Sequence, residues 1–118
     1  MRELIEAFKS LSDETRLRIL NLISERECCV CEVMRVLDIS QTRASRNLGI
    51  LRDAGFLKMR KDGLWSYYAI NDQGTKESPI ALVKYIKSAL AGNAQAAIDL
   101  DHLRKSVRVG PGCKCIPG

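Results

Sequence analysis

Residues 30–70 hold an ordered set of local signals that few folds satisfy together. Val30, Val33, Met34 and Leu37 recur at helical spacing, and Asp38-Ile39 ends that pattern. Ser40 is a suitable N-cap for a helix running to about Ala54, and Gly55 stops it. Ala44, Leu48 and Leu51 then point inward, while the 100° step places Thr42, Ser45, Arg46 and Gly49 on the opposite face. Residues 56–60 and 64–70 read as two strands joined by the turn Lys61-Asp62-Gly63, since Asp-Gly is a strong hairpin signal. A helix pair with a short turn is common by itself. A basic-tipped hairpin directly downstream makes three independent local signals agree. The expected fold is mainly α with a β-hairpin wing, a winged helix-turn-helix.

The flanks extend this reading. Residues 2–10 form a short amphipathic helix with Leu4, Ile5 and Phe8 on one side. Ser12 is placed to cap the next helix, with Asp13 and Glu14 in its first turn and Leu17, Leu20 and Ile23-Ser24 on its buried stripe. Ser78-Pro79 opens a later helix through Ile80, Val83, Ile86 and Leu90, and Gly92-Asn93 breaks it. A weaker helix runs on to about Arg108. Residues 1–108 are therefore expected to form one DNA-binding and dimerisation domain, and residues 109–118 a flexible, cysteine-containing tail.

Charge follows the same layout. Residues 1–37 carry six Lys or Arg against seven Asp or Glu, whereas residues 38–70 carry six against three. The basic excess begins where the helix-turn-helix begins, as a surface facing phosphates requires. Hydroxyls and a guanidinium on the outward N-terminal half of the second helix suit entry into a major groove. Ser40, Gln41, Thr42, Arg43, Ser45 and Arg46 are the expected DNA-contacting residues there, with Arg60 and Lys61 anchoring the wing. No apolar run reaches the roughly 18–20 residues of a membrane span, and the N-terminus has no signal-like apolar region. The expected setting is cytoplasmic, with no membrane partner.

Three motifs carry a family resemblance. Residues 11–20 (LSDETRLRIL), 40–55 (SQTRASRNLGILRDAG) and 61–68 (KDGLWSYY) resemble, in order and at family spacing, the second helix, recognition helix and wing of the ArsR/SmtB metal-responsive repressors. The resemblance covers residues 3–72. It implies a homodimer built from the first and fifth helices, an inverted-repeat operator in double-stranded DNA, and release of that DNA when an effector binds.

Five cysteines, three of them at Cys28, Cys29 and Cys31, read in a reducing compartment as metal or redox chemistry. Arsenic-responsive members of the family carry a Cys-Val-Cys-Asp-Leu-Cys-like run at this point. Here it is Cys29-Val30-Cys31-Glu32-Val33-Met34, so the third position is Met34, which shares the apolar stripe of Val30, Val33 and Leu37. Trivalent arsenic and antimony prefer three sulfurs in a pyramid. Cys29 and Cys31 are the expected ligands, with Cys28 or the tail pair Cys113 and Cys115 as sources of a third. Two residues apart means 200° of helical rotation, so a regular helix would have to distort before Cys29 and Cys31 met one ion; Cys28 and Cys31 share a face. A helix N-terminus also favours thiolates.

The alternatives keep different parts of this picture. A thiol redox or persulfide sensor, or a sensor of cadmium, lead or zinc, keeps the DNA-binding fold. The family's zinc sites use Asp and His on the fifth helix, and here only His102, with Asp99 and Asp101 nearby, offers such groups. A thiol oxidoreductase or metal carrier would use the Cys28-Cys29-Val30-Cys31 spacing, but no parallel-sheet pattern surrounds it. The single histidine has no nearby nucleophile, and no enzyme activity or organic cofactor is expected.

Overall fold

The computed structural model describes residues 1–72 and 79–106, so the Cys113 and Cys115 tail lies outside the described residues. The described elements run α1 (Arg2–Leu11), α2 (Glu14–Glu25), β1 (Cys28–Cys29), α3 (Val30–Leu37), α4 (Gln41–Asp53), β2 (Leu57–Asp62), β3 (Trp65–Ile70), α5 (Pro79–Leu90) and α6 (Ala94–Lys105). This is a winged helix-turn-helix. Helix α2 lies at its centre and packs against α1, α3, α4, α5, α6 and β3.

Central placement explains why α2 is buried more widely than one stripe predicts. Ile19, Leu20, Leu22 and Ile23 are buried, whereas Leu17 and Ser24 are only partly covered. The cap of α2 also differs from expectation by one residue. Asp13, in extended backbone, accepts the Arg16 N–H at 3.0 Å, and Ser12 instead donates its hydroxyl to Phe8 O at the end of α1. A carboxylate at the positive end of a helix is the stronger acceptor of the two.

The turn between α3 and α4 is made by Asp38, whose φ of 55° is left-handed, and by Ser40, whose hydroxyl accepts the Arg43 N–H at 3.1 Å. Ala44, Leu48 and Leu51 are buried as expected. Arg16 then fixes α4 to the first two helices. Its Nε donates to Ser10 O at 2.6 Å and its Nη1 to Asn47 Oδ1 at 2.9 Å, while Asn47 Nδ2 donates to Arg43 O at 2.9 Å.

The hairpin is longer at its tip than the sequence suggests. Asp62 pairs with Trp65, so the loop is Gly63-Leu64 and Gly63 sits at its first central position with φ 65°. A type II′ turn uses glycine there because its left-handed backbone matches the twist of the flanking strands. A third strand was not anticipated: β1 pairs antiparallel with β3, giving the order β1-β3-β2.

Helix α6 is held by an ion pair across the fold. Arg18 Nε and Nη2 meet both oxygens of Asp99 at 2.8 and 2.9 Å, Gln95 adds a third hydrogen bond, and Asp99 is 1% exposed. Removing one partner leaves the other charge uncompensated beneath α6. Asp99→Ala is expected to lower the unfolding free energy by about 3 kcal/mol, measured by urea unfolding at matched protein concentration.

Candidate thiol site and nucleic-acid interface

Strand alternation sorts the cysteines. Cys28 pairs with Tyr68, and Cys29 with Tyr67, so the two sulfurs leave opposite faces of the sheet. Cys28 enters the main helical core, its Sγ 3.3 Å from Arg26 O. Cys29 faces the other way and forms a separate buried cluster with Cys31 and Tyr67, against which Met34 and Trp65 pack. The structure thus separates Cys28 from the pair with which helical spacing grouped it.

Cys29 and Cys31 do meet, and without distortion of a helix. Cys29 is not inside α3 but is its N-cap, extended at φ −88° and ψ 166°. The chain turns into the helix after it and brings the Cys31 sulfur back to 3.0 Å from that of Cys29. The 200° of helical rotation does not separate them, because only Cys31 is helical. Cys31 takes part in a disulfide, which Cys28 and Cys29 do not. Among the described residues no group of three His, Cys, Asp or Glu side chains converges on one point.

Glu32 sets this geometry. It stands at the third helical position after Cys29, and the two form a capping box in which a thiol replaces the usual hydroxyl. The Cys29 sulfur accepts the Glu32 N–H, and Glu32 Oε1 accepts the Cys29 N–H at 2.9 Å. Glu32 is fully buried, and Arg26 Nη1 balances it at 2.8 Å from Oε2. The Cys-x-x-Glu spacing is the sequence signature of this cap, with cysteine in the place of serine or threonine.

The Cys29 thiol is raised above its ordinary value. Burial is the main cause, and the buried Glu32 carboxylate opposes a second negative charge beside it. The hydrogen bond from the Glu32 N–H acts the other way and is outweighed. A helix N-terminus therefore does not make Cys29 a thiolate here.

On the outer face of α4, Thr42 and Arg46 are exposed and Gln41 and Ser45 half-buried. Ser40 spends its hydroxyl on the cap, and Arg43 reaches back to Thr15 Oγ1 at 3.2 Å. Lys61 is exposed at the wing. Arg60 is engaged, with two nitrogens on Glu27 at 2.8 and 2.9 Å and its guanidinium 4.4 Å above the Tyr67 ring. Of the residues considered for zinc, Asp99 is held by Arg18 and Asp101 by Lys105 at 2.9 Å. His102 lies exposed on α6.

A helix-turn-helix with a basic outward face and a wing is now joined to a buried thiol pair at the root of its first helix. Residues 13–59 match the family described as bacterial regulatory protein, arsR family. The chain is 42% identical over 95 residues to the arsenic resistance transcriptional regulator ArsR2 of Pseudomonas putida, covering 80% of this chain and 79% of that one. It belongs to the arsR family. It is also 48% identical over 68 residues to the arsenical resistance operon repressor of Escherichia coli, a match spanning 57% of this chain and 58% of that protein. Its fold resembles the homodimeric winged helix-turn-helix DNA-binding domain of a possible ArsR-family regulator from Mycobacterium bovis, with TM-score 0.65 and 25% identity over 79% of this chain and 88% of that one. ArsR-family proteins are transcriptional regulators, not enzymes. Among the described residues no helix is long and apolar enough to cross a membrane.

For this ArsR-family chain the raised thiol has a signed consequence. The unfolded chain ionises Cys29 first as pH rises, so the folded state holds the extra proton and loses stability above the ordinary thiol value of about 8.5. In reducing buffer, urea unfolding should show stability falling more steeply from about pH 8 to about pH 10 in the parent than in Cys29→Ser.

Proposed function

We propose that this protein is a homodimeric, cytoplasmic transcriptional repressor that leaves its operator when trivalent arsenic or antimony binds Cys29 and Cys31. The observation that supports the reading most is the convergence of those two sulfurs, 3.0 Å apart, where β1 becomes the first helix of the reading head.

The donor chemistry fits the effector. Arsenous acid is a small neutral molecule, and each thiol proton can leave with one of its hydroxyls as water while an arsenic–sulfur bond forms. The exchange separates no charge, as suits the Cys29 thiol, which burial keeps protonated. A hydrated divalent cation would have to shed its water in the same pocket and displace two protons. The third sulfur comes from the tail pair Cys113 and Cys115 rather than from Cys28, which faces the opposite side of the sheet. Cys31 must first be reduced. Its disulfide is also what favours a second reading, in which oxidation of the same thiols is the signal.

The dimer would form through α1 and α5. Leu4, Ile5 and Phe8 on α1 and Tyr85 on α5 are exposed, and Phe8 and Tyr85 line one apolar groove with Leu11, Leu82 and Ile86. Two copies of α4 about 34 Å apart then read the half-sites of an inverted repeat. Gln41, Thr42, Ser45 and Arg46 reach base edges or adjacent phosphates, Ser40 and Arg43 shape the helix entry, and Lys61 carries the charge of the wing.

The deciding experiment titrates the reduced protein on DNA from its own promoter with arsenite, antimonite, cadmium, zinc and peroxide, following labelled-DNA anisotropy. Arsenite or antimonite should release the parent but not the Cys29→Ser/Cys31→Ser variant, which stays bound. Release by peroxide alone would sink the metalloid reading. Truncation after Gly112 should weaken the response at least about tenfold, since even a lost hydrogen-bond partner of a metal ligand costs that much affinity, whereas Cys28→Ser should leave it near the parent's.

A further inference from the structure

Arg60, Tyr67 and Cys29 occupy one cross-strand row. Arg60 pairs with Tyr67 across β2 and β3, and Tyr67 pairs with Cys29 across β3 and β1. Residues directly opposite in antiparallel strands project from the same face, so the row sets a guanidinium, an aromatic ring and a thiol side by side. Glu27, just before β1, binds Arg60 through both carboxylate oxygens. Tyr67 is 1% exposed, closed over by Arg60 on one side and packed against Cys29 and Cys31 on the other.

We infer that Arg60 is a positioning residue, acting with Glu27 as a strut that ties the wing to the thiol pair, rather than a phosphate anchor. The inference rests on the effector reading given above. An arsenic atom at Cys29 and Cys31 must occupy space that the Tyr67 ring now borders. A shift of that ring moves the face on which the Arg60 guanidinium lies and misaligns its two hydrogen bonds to Glu27. The wing is then re-aimed relative to α4, whose own attachment through Arg16 and Asn47 is untouched. Adjacency alone does not establish such a route; coupling does.

Arg60→Lys separates the two roles. Lysine keeps the charge that a phosphate needs but loses both the bidentate fork and the planar stack. Operator affinity is measured with and without saturating arsenite for the parent, Arg60→Lys, Glu27→Gln and the double variant. Loading is followed separately by the emission of Trp65, the sole tryptophan, which packs on the thiol cluster. The parent should lose operator affinity by about 5–150-fold on loading, the usual range of allosteric coupling. Each variant should load like the parent and bind DNA like the parent without arsenite, yet lose about threefold or less on loading, with the double variant no worse than either single one. Two results would overturn the strut. One is a parent-like ratio in Arg60→Lys. The other is lower effector-free affinity in Glu27→Gln together with an unchanged ratio. A parent that loads, by Trp65 emission, but stays on DNA refutes the effector reading itself, and the strut with it.

Discussion

The two-residue pairing of β1 with β3 is the constraint on which the rest of this structure turns. It fixes Cys29 in extended backbone, which makes that residue the cap of α3 instead of its first turn. It sends Cys28 and Cys29 to opposite faces, one into the helical core and the other beneath Tyr67. It also attaches the wing to the start of the helix-turn-helix, so Cys29 and the wing share one sheet. Without it, the spacing of the cysteines would require a helix to unwind before two sulfurs could meet.

The pair is assembled at an electrostatic cost that the fold meets locally. A buried carboxylate beside two sulfurs would be unfavourable by itself. Glu32 is accommodated because its Oε1 accepts the Cys29 N–H, its Oε2 is ion-paired with the Arg26 guanidinium, and its own N–H reaches the sulfur. That arrangement keeps the Cys29 thiol protonated and the site compact. It also holds the backbone of Cys29 from both ends of the cap, so the sulfur position depends little on side-chain rotation.

Periodicity and cap chemistry were enough to read the helices α3 and α4, the Ser40 cap, the hairpin and the inward Ala44, Leu48 and Leu51, because those signals are local. The burial of Ile19 and Leu22 was not legible, since α2 is enclosed on several sides and a single stripe describes only one neighbour. Strand β1 was equally hidden. Two residues carry no alternation, and what makes them a strand is Tyr67 and Tyr68, some forty positions away. The same non-local pairing explains why Tyr67, Glu27 and Glu32 were not recognised as parts of the site, although the Cys-x-x-Glu cap was there to be read. Arg60 was assigned to phosphate from its place near the hairpin tip, and a cross-strand partner outside the hairpin gave it other contacts.

The exposure of the Arg60–Glu27 pair bears on why it could serve a switch. Solvent-facing ion pairs add little to folding stability, so losing this one would leave the α2-centred core intact. The pairs built on a buried carboxylate, Arg18 with Asp99 and Arg26 with Glu32, tie α6 and α3 to the core. A regulator of this size has little stability to spare, and a coupling element drawn from its core would risk unfolding with every signal. In the proposed route the movable contact lies at the sheet edge, one ring away from Cys29, so the change is confined to the wing. A groove contact depends on where the wing points, whereas the α2-centred core does not.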